Sequence, residues 1–360
     1  MNINSIAYRE KAYAKINLSL DITGKRDDGY HTVAMIMQTV TLCDDISVKT
    51  REGGDVVLYG MDLRPWGTDA SESGNCHLTF GKDDLCVKAA EAIRKEYGIT
   101  TGLSIYLEKR IPIAAGLAGG SADAAAVLRA VRAVFGLSAT DDDLRRLALR
   151  LGADIPYCIT GGTALSEGIG EVLTPLPAFG PQHVVLVKPA FSISTPVSYR
   201  EYDRLVAENP EIFRRPDNAA MIAALRENAA DAAGLPDAAE AGEAKDASAA
   251  GKIVGSAAKN QPAAAAGRNY SAFYAGMGNV LRDVAAAAHP EISLIEDELR
   301  TRGAAAAMMS GSGPTVYGIF DDEDTAAQAA GALAEKSGIE AAILCRTCDP
   351  AEETEPEEDF

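Results

Sequence analysis

A mixed chain of strands and helices, divided between two domains, is what this sequence predicts. Its 360 residues exceed the roughly 100–200 of a typical domain. Residues 12–22, AYAKINLSLDI, alternate: Ile16, Leu18, Leu20 and Ile22 share one face, and Lys15, Asn17, Ser19 and Asp21 share the other. That is a half-buried strand with a polar outer face. Val127, Leu128, Val131, Val134 and Phe135 instead fall at helical spacing. Apolar residues make up 47% of the chain, enough for a sizeable core.

In order, Asp27-Asp28-Gly29 turns the chain after the first strand, with Tyr30-His31 directly behind it. Further strands are expected over 33–60, then a polar stretch, 61–80, with Trp66. Asp84 caps a predicted helix over 85–97 that Gly98 ends. LSIYLEKRI, 103–111, reads as a strand leading into PIAAGLAGGSADAA, 112–125. A further helix follows Thr140, with Leu144, Leu147, Ala148 and Leu151 on one face and a stop at Gly152. YCITGGTALSEG, 157–168, reads as a hairpin turning at Gly161-Gly162. HVVLVKPA, 183–190, opens the second half, with helices expected near 197–208, 218–229, 277–288, 291–302 and 324–336 and a strand at 340–346. AAAAMMSGSGPTVYGIF reads strand, glycine turn, strand. The Ala/Gly/Asp/Lys-rich segment 230–268 is expected to be a flexible surface insertion. No repeat of solenoid length is present.

The net charge of −18 argues against a nucleic-acid partner. Part of it lies in an acidic tail, 349–360, read as a solvated end. Neither a signal peptide nor an apolar run of about 18 residues is found, so a soluble, cytoplasmic protein without a membrane partner is expected. Six cysteines in so long a chain make no disulfide scaffold. Cys345 and Cys348 form a lone Cys-x-x-Cys, weak as a zinc or redox signature.

The loop at 112–125 fits neither the Walker pattern nor the dinucleotide fingerprint. It still has the parts of an anion site. Gly116, Gly119 and Gly120 allow backbone N–H groups close to a phosphate. Ser121 stands where an N-cap belongs, and the helix behind it would aim its dipole at the loop. Lys109 and Arg110 precede it. A plain turn capped by serine explains the same residues.

PIAAGLAGGSADAA resembles the second signature of the GHMP small-molecule kinases, with Ala118 where glycine is usual. AYAKINLSLDITGKRDDGYHTV, LGADIPYCITGGTALSEGIGE, KPAFSISTPVSY and MMSGSGPTVYGIF resemble other segments of the same family in the same order, from about residue 12 to 320. They match the branch whose acceptor is a cytidine-diphosphate-linked methylerythritol. The resemblance implies an α+β GHMP kinase fold in two domains. One is a ribosomal-protein-S5-like ATP-binding domain (1–180). The other is a ferredoxin-like domain (181–348), with the active site in the cleft between them. It implies ATP-dependent phosphorylation of the acceptor's 2-hydroxyl, in the non-mevalonate route to isoprenoid precursors, with Mg²⁺ accompanying ATP and its ligands unassigned.

By the same resemblance, Asp154 is the catalytic base, placed at a strand start, and Lys15 its paired lysine. Asn17, Tyr30, His31, Thr195 and Tyr199 contact the acceptor, the tyrosines and His31 around cytosine. Lys109, Pro112, Ala114, Gly116, Leu117, Ala118, Gly119, Gly120 and Ser121 hold ATP. Asp84 stands where an adenine-contacting asparagine is usual, and an ionised aspartate cannot donate as an amide does. Gly311 and Gly313 set a turn against the site. A homoserine-, mevalonate- or galactose-type kinase is opposed by Tyr30-His31. A non-catalytic nucleotide-binding module is opposed by Lys15 with Asp154, and an RNA-binding protein by the charge. The expected assembly is a monomer or homodimer.

Overall fold

The computed structural model describes residues 7–64, 81, 83–209, 211–232 and 269–353. The first half is built around one long strand, β3 (His31–Arg51), which follows β1 (Ala7–Asn17) and β2 (Ser19–Lys25). The first half of β3 pairs with β2 and with β6 (Thr163–Gly168), which in turn carries β7 (Val172–Pro175). Its second half pairs with β1 and with β5 (Gly102–Lys109). Beyond β5 runs β4 (Val56–Asp62), parallel to it. The alternation read in 12–22 is present, but the chain breaks between Asn17 and Ser19.

Helices cover one face of this sheet. α1 (Leu85–Glu96) starts where Asp84 accepts a hydrogen bond from the Cys86 N–H, as its cap position predicts. α2 (Gly119–Val134) buries Ala124, Ala126, Val127, Leu128, Ala130 and Val131 in a cluster with Ile46, Val48, Leu103 and Ile105. α3 (Asp141–Leu149) has a reciprocal capping box of Thr140 and Asp143 and ends before the expected Gly152. Residues 155–160 are not the first arm of a hairpin. Pro156 sits in the first turn of a short helix, α4 (Ile155–Thr160), where its missing N–H costs nothing. Gly161 and Gly162 join that helix to β6.

The second sheet is antiparallel, in the order β10 (Ala306–Met309), β11 (Val316–Phe320), β8 (His183–Pro189), β12 (Ile339–Arg346). β8 is buried along nearly its whole length. α5 (Thr195–Glu208), α6 (Asn218–Ala232) and α7 (Ser271–Gly276) come next. Residues 278–279 then form a short strand, β9, parallel to β2, so the second half contributes to the first sheet. α8 (Val280–Ala288), α9 (Glu291–Thr301) and α10 (Glu323–Ala334) complete the chain, close to their predicted spans. After β12, Val40 bridges Thr347 and the Cys348 N–H bonds the Thr39 carbonyl, tying the two sheets together. The expectations for Trp66, for most of 230–268 and for 354–360 fall outside the described residues. No described helix is long and apolar enough to cross a membrane.

Candidate active site

The phosphate-loop candidate joins β5 to α2. Its helix begins at Gly119, and the N-cap position belongs to Ala118, with φ 55° and ψ 28°. Ser121 therefore lies inside the first turn and is not the cap. The chain must turn left-handed at Ala118 to aim α2, and alanine adopts that conformation at a cost of about 1–2 kcal/mol. The first turn of α2 contains no acidic residue, so its free N–H groups face no built-in competitor for an anion. Pro112 and Leu117 are buried, Ala114 and Gly120 are exposed, and Ser121 is half-buried.

This loop is stitched to both halves of the molecule. The Lys15 N–H donates to the Leu117 carbonyl, 3.2 Å away, and the Thr315 N–H to that of Ala115, 3.3 Å. The Ser310 hydroxyl donates to the Gly116 carbonyl at 3.0 Å. A Cβ on Gly116, where φ is +77°, would stand 2.3 Å from the Ser310 carbonyl oxygen. The glycine is therefore required by close backbone packing as well as by its dihedral. Asn279 secures the other side of that turn, its amide donating to the Met309 and Gly311 carbonyls at 2.9 and 2.8 Å.

Lys15 and Asn17 sit at this junction. Both are buried, so the polar face of the first strand packs inside the protein instead of meeting solvent. The Lys15 ammonium donates to the Asn17 side-chain amide oxygen, Oδ1, at 2.5 Å. A Cβ on Gly311 would lie 3.3 Å from Asn17 Oδ1 and 3.4 Å from Lys15 Nζ. The C-terminal glycine turn thus packs directly on the pair.

Asp154 is the residue before α4, not the start of a strand, and its side chain caps nothing. It has no hydrogen-bond or ion-pair partner among the described residues. Lys15 and Asp154 are accordingly not in direct contact. Both act on Cys158, whose thiol burial pushes up to about 12 with a further push from Asp154 and an opposing pull from Lys15. Burial, aided by the same carboxylate, also pushes the Tyr199 hydroxyl up to about 12. Asp154 is thus near enough to act on both Cys158 and Tyr199.

His31 stacks on Tyr199 with centroids 4.9 Å apart and meets the edge of Tyr202 at 6.2 Å. Its Nε2 is 2.7 Å from Asp203 Oδ1. Tyr30 is 63% exposed. The Thr195 hydroxyl lies 2.7 Å from that of Ser312, joining the start of α5 to the glycine turn.

Lys109 is buried beneath the loop, 2.5 Å from Asp44 and 2.6 Å from Asp123. Burial opposes its charge, but the two carboxylates outweigh it and hold the ammonium protonated above the ordinary range. Asp44 also accepts from the Arg110 and Ile111 N–H groups, at 2.5 and 2.8 Å. Asp44, Lys109 and Asp123 thus clamp the entry of the loop to the first turns of α2. The second oxygen of Asp123 is buried without a protein partner. Sequence reasoning overlooked Asp44, Asp123, Asp203, Ser310 and Asn279. Asp123 and Ser310 stood inside the two quoted glycine motifs, while Asp44, Asp203 and Asn279 lack a local signal.

Helices α1 to α4, the loop at 112–125 and Asp154 lie within the stretch 84–162 that matches the model of the GHMP kinases N terminal domain, whereas Lys15, Asn17 and His31 precede it. Residues 243–339 match that of the GHMP kinases C terminal. A 4-diphosphocytidyl-2-C-methyl-D-erythritol kinase from Clostridium tetani is 36% identical over 316 residues, 88% of this chain and 92% of the relative. The chain belongs to the GHMP kinase family, in the branch of such kinases. A second relative of that name, from Acetivibrio thermocellus, is 39% identical over 316 residues, 88% and 91% of the two chains. Among solved structures, a 4-(cytidine 5'-diphospho)-2C-methyl-D-erythritol kinase superposes with a TM-score of 0.67 at 28% identity, over 94% of this chain and 99% of the other. L. major mevalonate kinase, at 15% identity and a TM-score of 0.66 over 96% and 97%, shares the fold. This kinase accordingly has the α+β GHMP fold, and its family uses ATP as phosphoryl donor.

Proposed function

We propose that this kinase moves the γ-phosphoryl group of ATP to the 2-hydroxyl of 4-diphosphocytidyl-2-C-methyl-D-erythritol, supplying an isoprenoid precursor. The observation that carries the reading is the packing of Lys15, Asn17, the loop at Gly116 and the Gly311 turn against one another, with Asp154 acting, like Lys15, on the Cys158 thiol. Gly119, Gly120 and Ser121 offer N–H groups to the ATP phosphates at the start of α2. Pro112, Ala114, Gly116, Leu117 and Ala118 shape that cradle, and Lys109 holds it in place from below.

Phosphoryl transfer asks for positioning and charge stabilisation. Asp154 takes the proton of the acceptor hydroxyl as its oxygen bonds to the γ-phosphorus, and the bond to the β-phosphate oxygen breaks to release ADP. Lys15 brings positive charge to the same region, favouring the developing charge on the phosphoryl oxygens. Asn17 orients the lysine. Tyr30, His31 and Tyr199 embrace the cytosine ring, and Thr195 contacts the acceptor near the glycine turn.

Among the described residues, no group of three or more acidic, histidine or cysteine side chains could hold a metal ion. Mg²⁺ would accompany ATP, held by phosphate oxygens and water with at most one or two protein groups. The relatives place the chain in its branch, and the aromatic and histidine wall suits a nucleobase better than a bare mevalonate or homoserine. The test is acceptor-dependent ADP release across a panel of acceptors. Turnover with the cytidine-diphosphate acceptor alone is expected. Faster turnover with mevalonate, homoserine or galactose would overturn the substrate assignment.

A further inference from the structure

We infer that Asp203 is a positioning residue that sets base specificity by fixing the tautomer of His31. The inference rests on the proposed cytosine site. Asp203 lies on α5, one turn beyond Tyr199, and His31 begins β3. The carboxylate holds two partners, His31 Nε2 at 2.7 Å through one oxygen and Lys25 Nζ at 2.6 Å through the other. Lys25 and His31 are cross-strand neighbours in the β2–β3 ladder. The three side chains therefore form a fixed bridge between the first sheet and α5.

A carboxylate can only accept, so the proton of a neutral imidazole must sit on Nε2. Burial works to raise the Asp203 carboxyl, but hydrogen bonds from Lys25 and His31 outweigh it and keep the group ionised below its ordinary range. In the neutral ring, which the inference requires, Nδ1 is then left as a lone-pair acceptor. It has no partner among the described residues and is not among the buried polar atoms left without one. The ring cannot turn to exchange its nitrogens without leaving Asp203 and its stack on Tyr199. A nucleobase edge meeting this nitrogen must present a donor. Cytosine offers its exocyclic amino group at that edge, whereas uracil carries a carbonyl there. The geometry thus selects an aminopyrimidine and rejects its deaminated counterpart, because two acceptors would face each other without a proton between them.

Two measurements test this. The first is nitrogen-detected NMR of histidine-labelled protein, feasible because the chain has 4 histidines. His31 is expected as the neutral ring protonated at Nε2 in the wild type. Asp203→Asn should lose that fixed state, since an amide can accept or donate. A wild-type ring protonated at Nδ1 overturns the inference, whatever the enzyme's substrate. The second compares kcat/KM for the cytidine-diphosphate acceptor and its uridine analogue. In Asp203→Asn the preference should fall about tenfold or more, the size of one mispaired base contact. The loss should lie in KM for the acceptor, with KM for ATP unchanged. An unchanged preference in a variant that turns over both acceptors overturns the inference. A wild type with the expected tautomer and no activity on either acceptor refutes the proposed function, and with it the base-selecting role.

Discussion

Two glycines of the same loop should fail in opposite ways when given a methyl group. At Gly116 the φ of +77° places an L-residue in the left-handed region, and the new Cβ stands 2.3 Å from the Ser310 carbonyl oxygen. Ordinary contact begins near 3.4 Å, so the loop and the C-terminal turn must part by about 1 Å. The dihedral costs about 1–2 kcal/mol, offset by about 0.4–1 kcal/mol from a stiffer unfolded chain. Parting the strands also weakens the Ser310–Gly116 and Thr315–Ala115 hydrogen bonds, each contributing about 0.5–1.5 kcal/mol. Gly116→Ala should therefore lose roughly 2–3 kcal/mol of stability. A 1 Å misplacement of the loop should also lower kcat by about 100-fold. At Gly120 a Cβ meets only Leu85 Cδ1 at 3.6 Å, and φ is not positive. Gly120→Ala should fold at least as well as the wild type, with the methyl at the mouth of the helix where the phosphates are proposed to lie. Its effect belongs in KM for ATP, which should rise about tenfold or more. Denaturant titration and ADP-release kinetics on both variants read out the contrast. A Gly116→Ala enzyme of normal stability and rate, or a Gly120→Ala enzyme of normal ATP affinity, would refute the reasoning.

Ala118→Gly relieves the left-handed strain at the N-cap of α2, about 1–2 kcal/mol, against about 0.4–1 kcal/mol of added unfolded-state entropy. A net gain of several tenths of a kcal/mol to about 1 kcal/mol is expected by denaturant titration, and a loss would contradict the strain argument. Lys109→Met leaves Asp44 and Asp123 buried around a missing cation and should cost about 3–5 kcal/mol. Adding Asp123→Asn should recover part of that, as a double-mutant cycle would measure. The Asp203 carboxyl, held below its ordinary range, contributes stability that is present above about pH 3.9 and is lost as pH falls through its folded value. Asp203→Ala should therefore flatten the acid limb of the stability–pH curve, with a small amplitude because the group is partly exposed.

Much of the secondary structure was legible because its signals are local. Asp84 and Thr140 cap the helices they were expected to cap, and the apolar spacing after residue 126 gives the buried face of α2. The errors occurred where local signals conflict with the tertiary setting. Ser121 is a good cap type, but the left-handed turn at Ala118 starts the helix before it. The glycine pair at 161–162 looked like a hairpin, while Pro156 and Asp154 open a short helix ahead of it. Lys15, Asn17 and Ser19 alternate as a solvent-facing row would, yet the second half of the chain closes over them, with Tyr317 donating to the Asn17 carbonyl at 2.8 Å. Of the residues named from the signatures, Lys15 and Asn17 pack against the Gly311 turn, which meets the loop at Gly116, and His31 stacks on Tyr199. Their supporting groups come from positions far apart in the chain, such as Asp44 for Lys109 and Asp203 for His31, and no short pattern announces such pairs.

The central claim is that Asp154 removes the proton of a cytidine-diphosphate-linked alcohol as ATP is split. Acceptor-dependent ADP release by wild type and Asp154→Asn, at saturating ATP and with 4-diphosphocytidyl-2-C-methyl-D-erythritol as acceptor, tests it most directly. The account predicts turnover by the wild type and a fall in kcat of at least about 100-fold in the variant, the usual contribution of a positioned base, with little change in KM for either substrate. Near wild-type turnover by Asp154→Asn would contradict it.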